Sequence, residues 1–110
     1  MDAALLIRVM GEPMRYQIFR LLLQQKHCVR SLSKKLGVSE SAVSQHLRLM
    51  RQAGLVYGEK YGYHTHYFPD PDAISLLVST FLQIQAQSQE LNRDAGTCQC
   101  EFQQPATHKG

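Results

Sequence analysis

Two helical patterns in this sequence are separated by only Gly37 and Val38, and that break constrains the fold more than any other feature. The first pattern is short, capped or opened at Ser31 and running through Leu32 and Leu36 to a stop at Gly37. Glycine readily takes the left-handed conformation that closes a helix. The second pattern opens at Ser39, whose hydroxyl suits an N-cap, and runs from Glu40 through Arg51. Along it Val43, Leu47 and Met50 recur at i, i+4 and i+7 and should face a core. Ser41, Ser44, Gln45 and Arg48 recur at i, i+3, i+4 and i+7 and should face outward.

The flanks complete a mainly α chain. Ala3 to Met10 reads as a short helix stopped by Gly11, and Glu12-Pro13 opens a second one with proline in its first turn. Met14, Ile18, Leu21 and Leu22 form its buried stripe, widened by Phe19 and Leu23. Leu55 to Tyr57 and Tyr63 to Phe68 are aromatic and β-prone, separated by residues that include Gly58 and Gly62, which reads as a hairpin with a basic, His-bearing tip. Pro69-Asp70-Pro71-Asp72 breaks the chain. A last helix follows with Ile74, Leu77, Val78, Phe81 and Leu82 on one stripe, reaching about Asn92 and spanning around 30 Å at ~1.5 Å per residue.

Helix-turn-helix plus hairpin predicts a winged helix-turn-helix, mainly α with a small β-hairpin wing, over residues 1–93. A Cys-containing tail without periodicity occupies 94–110. The length of 110 residues suits one domain. No run of about 18 apolar residues exists, so a membrane span is excluded. The start, Asp2 to Arg8, is too short an apolar stretch for a signal peptide. Three cysteines are too few, and odd in number, for a disulfide scaffold, which points to reduced thiols and a cytoplasmic protein.

Charge is informative by position. The net +3 resolves into +1 over residues 1–25, +5 over 26–69 and −3 over 70–110. A basic segment that coincides with the helix-turn-helix and wing points to a polyanion, and the outward face of the second helix carries groups able to read a major groove. Serine hydroxyls donate or accept, Gln45 can pair with adenine, and Arg48 can reach guanine or phosphate. Lys34 and Lys35 add charge beside this face, and His64 is the corresponding residue of the wing. The expected partner is double-stranded DNA.

The stretch from Cys28 to Val56, with its core Ser-Ala-Val-Ser-Gln-His-Leu-Arg-Leu-Met-Arg-Gln-Ala-Gly-Leu-Val, resembles the ArsR/SmtB family of bacterial metal-responsive repressors, a resemblance that covers residues 1 to about 92. It implies a homodimer paired through the first and last helices on an inverted-repeat operator, released by an inducer. It also implies base contacts from Glu40, Ser41, Ser44 and Gln45. Glu40 departs from the family's usual glutamine, and its carboxylate either repels phosphate or reads a cytosine amino group. A two-fold dimer has a physical reason too, since one recognition helix covers only a few base pairs.

The same resemblance frames the signal. The family's Cys-Val-Cys box appears here as Cys28-Val29-Arg30, with the second cysteine replaced, and the last helix holds Asp72 but no histidine, which argues against a zinc or cobalt site there. Cys28, Cys98 and Cys100 remain, the donor count that arsenite or antimonite needs and that also suits three-coordinate cadmium or lead. Arg30 beside Cys28 would favour its thiolate. The expected inducer is a soft metal or metalloid ion, As(III) or Sb(III) ahead of Cd(II) or Pb(II), with no organic cofactor. A thiol-redox or persulfide-responsive repressor of the same fold is the alternative.

Two further classes fit less of the sequence. A zinc hydrolase built on His64 and His66 lacks a third clustered ligand and a general base, so no enzyme is expected. His27 and His46 read as local polar residues. A pure dimerisation module would leave the basic Ser/Gln face unexplained.

Overall fold

In the computed structural model, helix α1 (Ala3–Met10) begins at Asp2, whose carboxylate accepts from the amides of Ala4 and Leu5. The structure describes residues 1–93, 96 and 98–100. Helix α2 (Pro13–Gln24) follows after Gly11 and Glu12, with the Glu12 carboxylate accepting from Arg15 N at 2.8 Å. The Arg15 Nε–H in turn donates to the Val9 carbonyl, tying α2 back to α1.

Helix α3 (Val29–Leu36) starts two residues before Ser31, with Cys28 as its N-cap. Ser31 is the third helical residue rather than the cap: its hydroxyl accepts from Cys28 N at 3.0 Å and lies 3.1 Å from the Cys28 carbonyl. Ser31, expected to cap or open the helix, instead lies inside its first turn and turns its oxygen back onto the N-cap amide. Gly37 closes α3 at φ 71, a left-handed value that glycine adopts without a Cβ penalty. Helix α4 (Glu40–Gln52) then opens on Ser39, whose hydroxyl accepts from Ala42 N at 3.0 Å.

The wing is an antiparallel pair, β1 (Val56–Tyr61) and β2 (His64–Pro69), in a register that sets Val56 opposite Pro69 and Tyr61 opposite His64. Only Gly62 and Tyr63 remain for the turn, and Gly62 has φ 64, the positive value that tight hairpin turns favour. Gly58, expected between the strands, lies inside β1. A Cβ there would stand 2.9 Å from the Thr65 methyl and 3.3 Å from the Tyr67 ring, so the glycine makes room for a cross-strand aromatic. Helix α5 (Pro71–Arg93) follows, its first turn capped by Asp70 accepting from Asp72 N.

The chain divides into two compact units that meet in sequence at Thr80 and Phe81. The first holds the core: Leu6 and Val9 of α1, Ile18, Phe19 and Leu22 of α2, Leu32 of α3, Val43, Leu47 and Met50 of α4, then Leu55, Val56, Ala73 and Leu77. Leu23, expected to widen the α2 stripe, is instead exposed, since it sits a further ~100° round the helix from buried Leu22. Val78, Phe81 and Leu82 belong to the expected α5 stripe yet are 53%, 52% and 58% exposed. In the second unit Ile84 and Leu91 are exposed as well. The tail expected over 94–110 lies outside the described residues apart from Gly96 and Cys98 to Cys100. Among the described residues no helix is long and apolar enough to cross a membrane.

Candidate nucleic-acid interface

Helix α4 presents the face read from the sequence. Val43, Leu47 and Met50 are buried, and Ser41, Ser44, Gln45 and Arg48 are exposed. Burial of three apolar residues on one side fixes the rotation of the helix, so the polar side must look outward. Lys34 and Lys35 occupy the last turn of α3, exposed, where cations also complement the carbonyl end of the helix. His46 is not on the reading face; its Nδ1 accepts from Arg15 at 3.4 Å.

Two grooves flank α4 and share Tyr67 of β2 as a wall. One, about 400 Å³, is lined by Cys28, Val29 and Arg30 of the α3 start, Glu40 of α4, and Tyr63, His64 and Thr65 of the wing. It brings Glu40 and His64, two expected DNA contacts, together with Cys28, the expected sensing thiol. The other, about 460 Å³, is lined by Ser44, Leu47, Arg48, Arg51 and Gln52 of α4. Arg51 and Tyr67 are absent from the residues the sequence singles out, and Arg30 is there only as a neighbour of Cys28. Arg51 was legible, since the outward stripe 41, 44, 45, 48 continues at 51 and 52 on a 3.6-residue period. Tyr67 was not, because no local pattern says which residues of a hairpin face a helix.

The wing is moored at its base. Tyr67 N donates to the His27 carbonyl at 3.0 Å, an isolated bridge between β2 and the α2–α3 junction. On the opposite face of the hairpin Tyr57 and Phe68 stack at 5.5 Å, Tyr61 and His66 lie 4.6 Å apart, and Lys26 Nζ stands 5.2 Å over the Tyr61 ring. His64 and His66 share this face by strand alternation. His64 is exposed, whereas His66 is partly buried with Nδ1 lacking a partner among the described residues.

The thiols fall in two places. Cys28 is half-buried at the N-terminus of α3. Burial pushes its thiol up, but the Ser31 amide and hydroxyl and the Arg30 amide more than offset this, and the thiol ends below its ordinary value. Arg30 thus acts through its backbone N–H, not through the guanidinium charge that the sequence invited. Cys98 and Cys100 are exposed, with their sulfurs 2.9 Å apart. Among the described residues no three His, Cys, Asp or Glu side chains converge as a metal-binding group. Nearby, His27 is buried with Nδ1 2.9 Å from the Ser31 hydroxyl, and burial, followed by Lys35 and His66, holds it below the usual histidine value.

Comparison with known proteins agrees with this architecture. Residues 12–57 match the family model described as bacterial regulatory protein, arsR family. The repressor SmtB of Mycobacterium tuberculosis is 39% identical over 57 residues, covering 52% of this chain and 42% of that protein. The nodulation protein NolR of Rhizobium meliloti is 30% identical over 82 residues, covering 74% of this chain and 67% of that protein. A crystal structure described as a possible transcriptional regulator for arsenical resistance superposes with TM-score 0.68 at 30% identity, covering 84% of this chain and 97% of that one. The chain spans 42% to 54% of the length of the first curated relatives it matches. The winged helix-turn-helix fold and these matches together place the chain in the arsR family of bacterial regulatory proteins.

Proposed function

We propose that this chain is a DNA-binding transcriptional repressor that acts as a homodimer on double-stranded operator DNA. The observation that carries the reading is the exposed Ser41, Ser44, Gln45 and Arg48 face of α4, held outward by buried Val43, Leu47 and Met50. Glu40 opens the same helix, Lys34 and Lys35 are exposed on α3 and His64 on the wing, which would add cations for phosphates to hydrogen-bonding groups for base edges. Pairing through α1 and α5 would cover Leu5 and Ile7 of the first helix and Val78, Phe81 and Leu82 of the last, all exposed in the single chain. The 1–93 region supplies reading and pairing, and the tail supplies signal ligands.

The signal is a soft ion bound by Cys28, Cys98 and Cys100, with As(III) or Sb(III) favoured and Cd(II) or Pb(II) as the next candidates. The Cys98 and Cys100 sulfurs already stand together, and the downward shift of Cys28 eases loss of its proton, thiolate being the form that binds metal. Such an ion would draw on all three thiolates and favour a form of the dimer whose reading helices no longer match two half-sites. The close pair of tail sulfurs equally suits a thiol-redox or persulfide switch, the second reading.

A DNA-release assay run in parallel with arsenite, antimonite, cadmium, lead, zinc and peroxide separates the two. Release by arsenite, lost in Cys28→Ser, Cys98→Ser and Cys100→Ser alike, is expected. Release by peroxide or polysulfide alone selects the redox reading, and failure to bind any duplex overturns both.

A further inference from the structure

We infer that the groove between the C-terminal half of α4 and β2 is a phosphodiester clamp in which Arg51, positioned by Tyr67, grips the DNA backbone beside Arg48. The inference rests on the DNA-binding reading and adds to it Arg51, Gln52 and Tyr67, which extend the reading face beyond Ser44 and Arg48. The groove is lined by Ser44, Leu47, Arg48, Arg51, Gln52 and Tyr67, with two guanidiniums and no carboxylate among them. The neighbouring groove, by contrast, contains Glu40. An anion entering the first meets two guanidiniums and no opposing carboxylate.

The geometry explains why the arginines stay ready. Arg48 and Arg51 are three residues apart and therefore neighbours on one helix face. The Arg51 guanidinium carbon stands 6.0 Å from the centroid of the Tyr67 ring. A guanidinium resting over a ring spends its face on the aromatic cloud and keeps its in-plane N–H groups available, which is the geometry that meets phosphate oxygens in a fork. Ser44 and Gln52 add a hydroxyl and an amide at the rim.

Tyr67 is a positioning residue, and its own place is set twice. Its amide is bonded to His27, and Gly58 across the strand pair leaves the space its ring occupies. The wing therefore contributes to DNA affinity through its base, by orienting an arginine of the reading helix, and not only through its tip.

The test is binding of a random-sequence duplex measured by fluorescence anisotropy over a salt series, because a backbone contact is indifferent to sequence. Arg51→Gln should lower the salt slope by about one for each protomer on the duplex and weaken binding about tenfold per protomer at 0.1 M salt. Arg51→Lys should keep most of the slope, since the charge remains. Tyr67→Phe should behave as wild type, whereas Tyr67→Leu should weaken binding and cost nothing further in the Arg51→Gln background. Circular dichroism melts confirm that each variant is folded.

An unchanged slope and affinity in Arg51→Gln, with the wild type binding normally, overturns the clamp while leaving the DNA-binding reading intact. A wild type that binds no duplex overturns both. A further arm titrates inorganic phosphate alone: Arg51-dependent phosphate binding together with an unchanged DNA slope would assign the groove to a free anion and overturn the proposal.

Discussion

The amide of Tyr67 donates to the carbonyl of His27 at 3.0 Å, joining the wing to the junction of α2 and α3. That bond ties the hairpin to the helical body across 39 intervening residues, and buried Leu55 and Val56 hold it there as well. Tyr67 also walls both grooves beside α4. The wing is thus an integral part of the proposed DNA surface, not an appendage to it.

Arg48→Ala removes a cation from the exposed face of α4 without touching the core. Operator affinity should fall by roughly tenfold or more, with a shallower salt dependence. Gel-shift titration reads the loss, and analytical ultracentrifugation should show the same assembly as the wild type.

Two glycines separate steric crowding from backbone conformation. Gly58→Ala places a methyl 2.9 Å from the Thr65 methyl and should destabilise the fold by about 1–3 kcal/mol. Gly37→Ala meets no atom within 4 Å but inherits φ 71, which should cost about 1–2 kcal/mol through the left-handed backbone alone. Urea melts give both values, and only Gly58→Ala should alter the aromatic signals of the wing.

His27 makes stability fall with acid. Its folded value lies below 6.5, so the unfolded chain binds this proton more readily than the folded one, and its contribution is complete above that value. The contribution is lost as pH drops below 6.5 toward the folded value. Thermal melts between pH 8 and about pH 5 should show a declining Tm, and His27→Gln, which keeps a hydrogen-bonding side chain, should flatten that part of the decline.

Leu82→Glu tests pairing through the last helix. The side chain is 58% exposed in the single chain, so a charge there should leave the monomer's melting almost unchanged. In a dimer that buries this stripe it would desolvate a carboxylate, and sedimentation should shift to monomer at micromolar concentration. An unaltered dimer would place the interface elsewhere.

Much of the architecture was legible because it is local. Helix α4 could be placed from Ser39 as cap and Val43, Leu47 and Met50 as stripe, since a 3.6-residue period and an N-cap act within a few residues. The same period extended by one turn reaches Arg51. The start of α3 was less legible, because Ser31 serves a cap from inside the helix, and a serine near a helix start looks alike in either role. The α5 stripe carried a different ambiguity: Leu77 and Val78 have the same apolar signal, but only Leu77 is covered within the chain.

By itself the sequence determined the helix-turn-helix, its reading face, the presence of a hairpin and the inventory of thiols, all set by period, capping and side-chain chemistry over short spans. Tertiary structure alone decided that Tyr67 meets His27 and Arg51, that Gly58 lies within a strand as space for an aromatic ring, and that Cys28 shares a groove with Glu40 and His64. These are contacts between elements. They follow from how buried faces pack and register, a collective result that no window of neighbouring residues encodes.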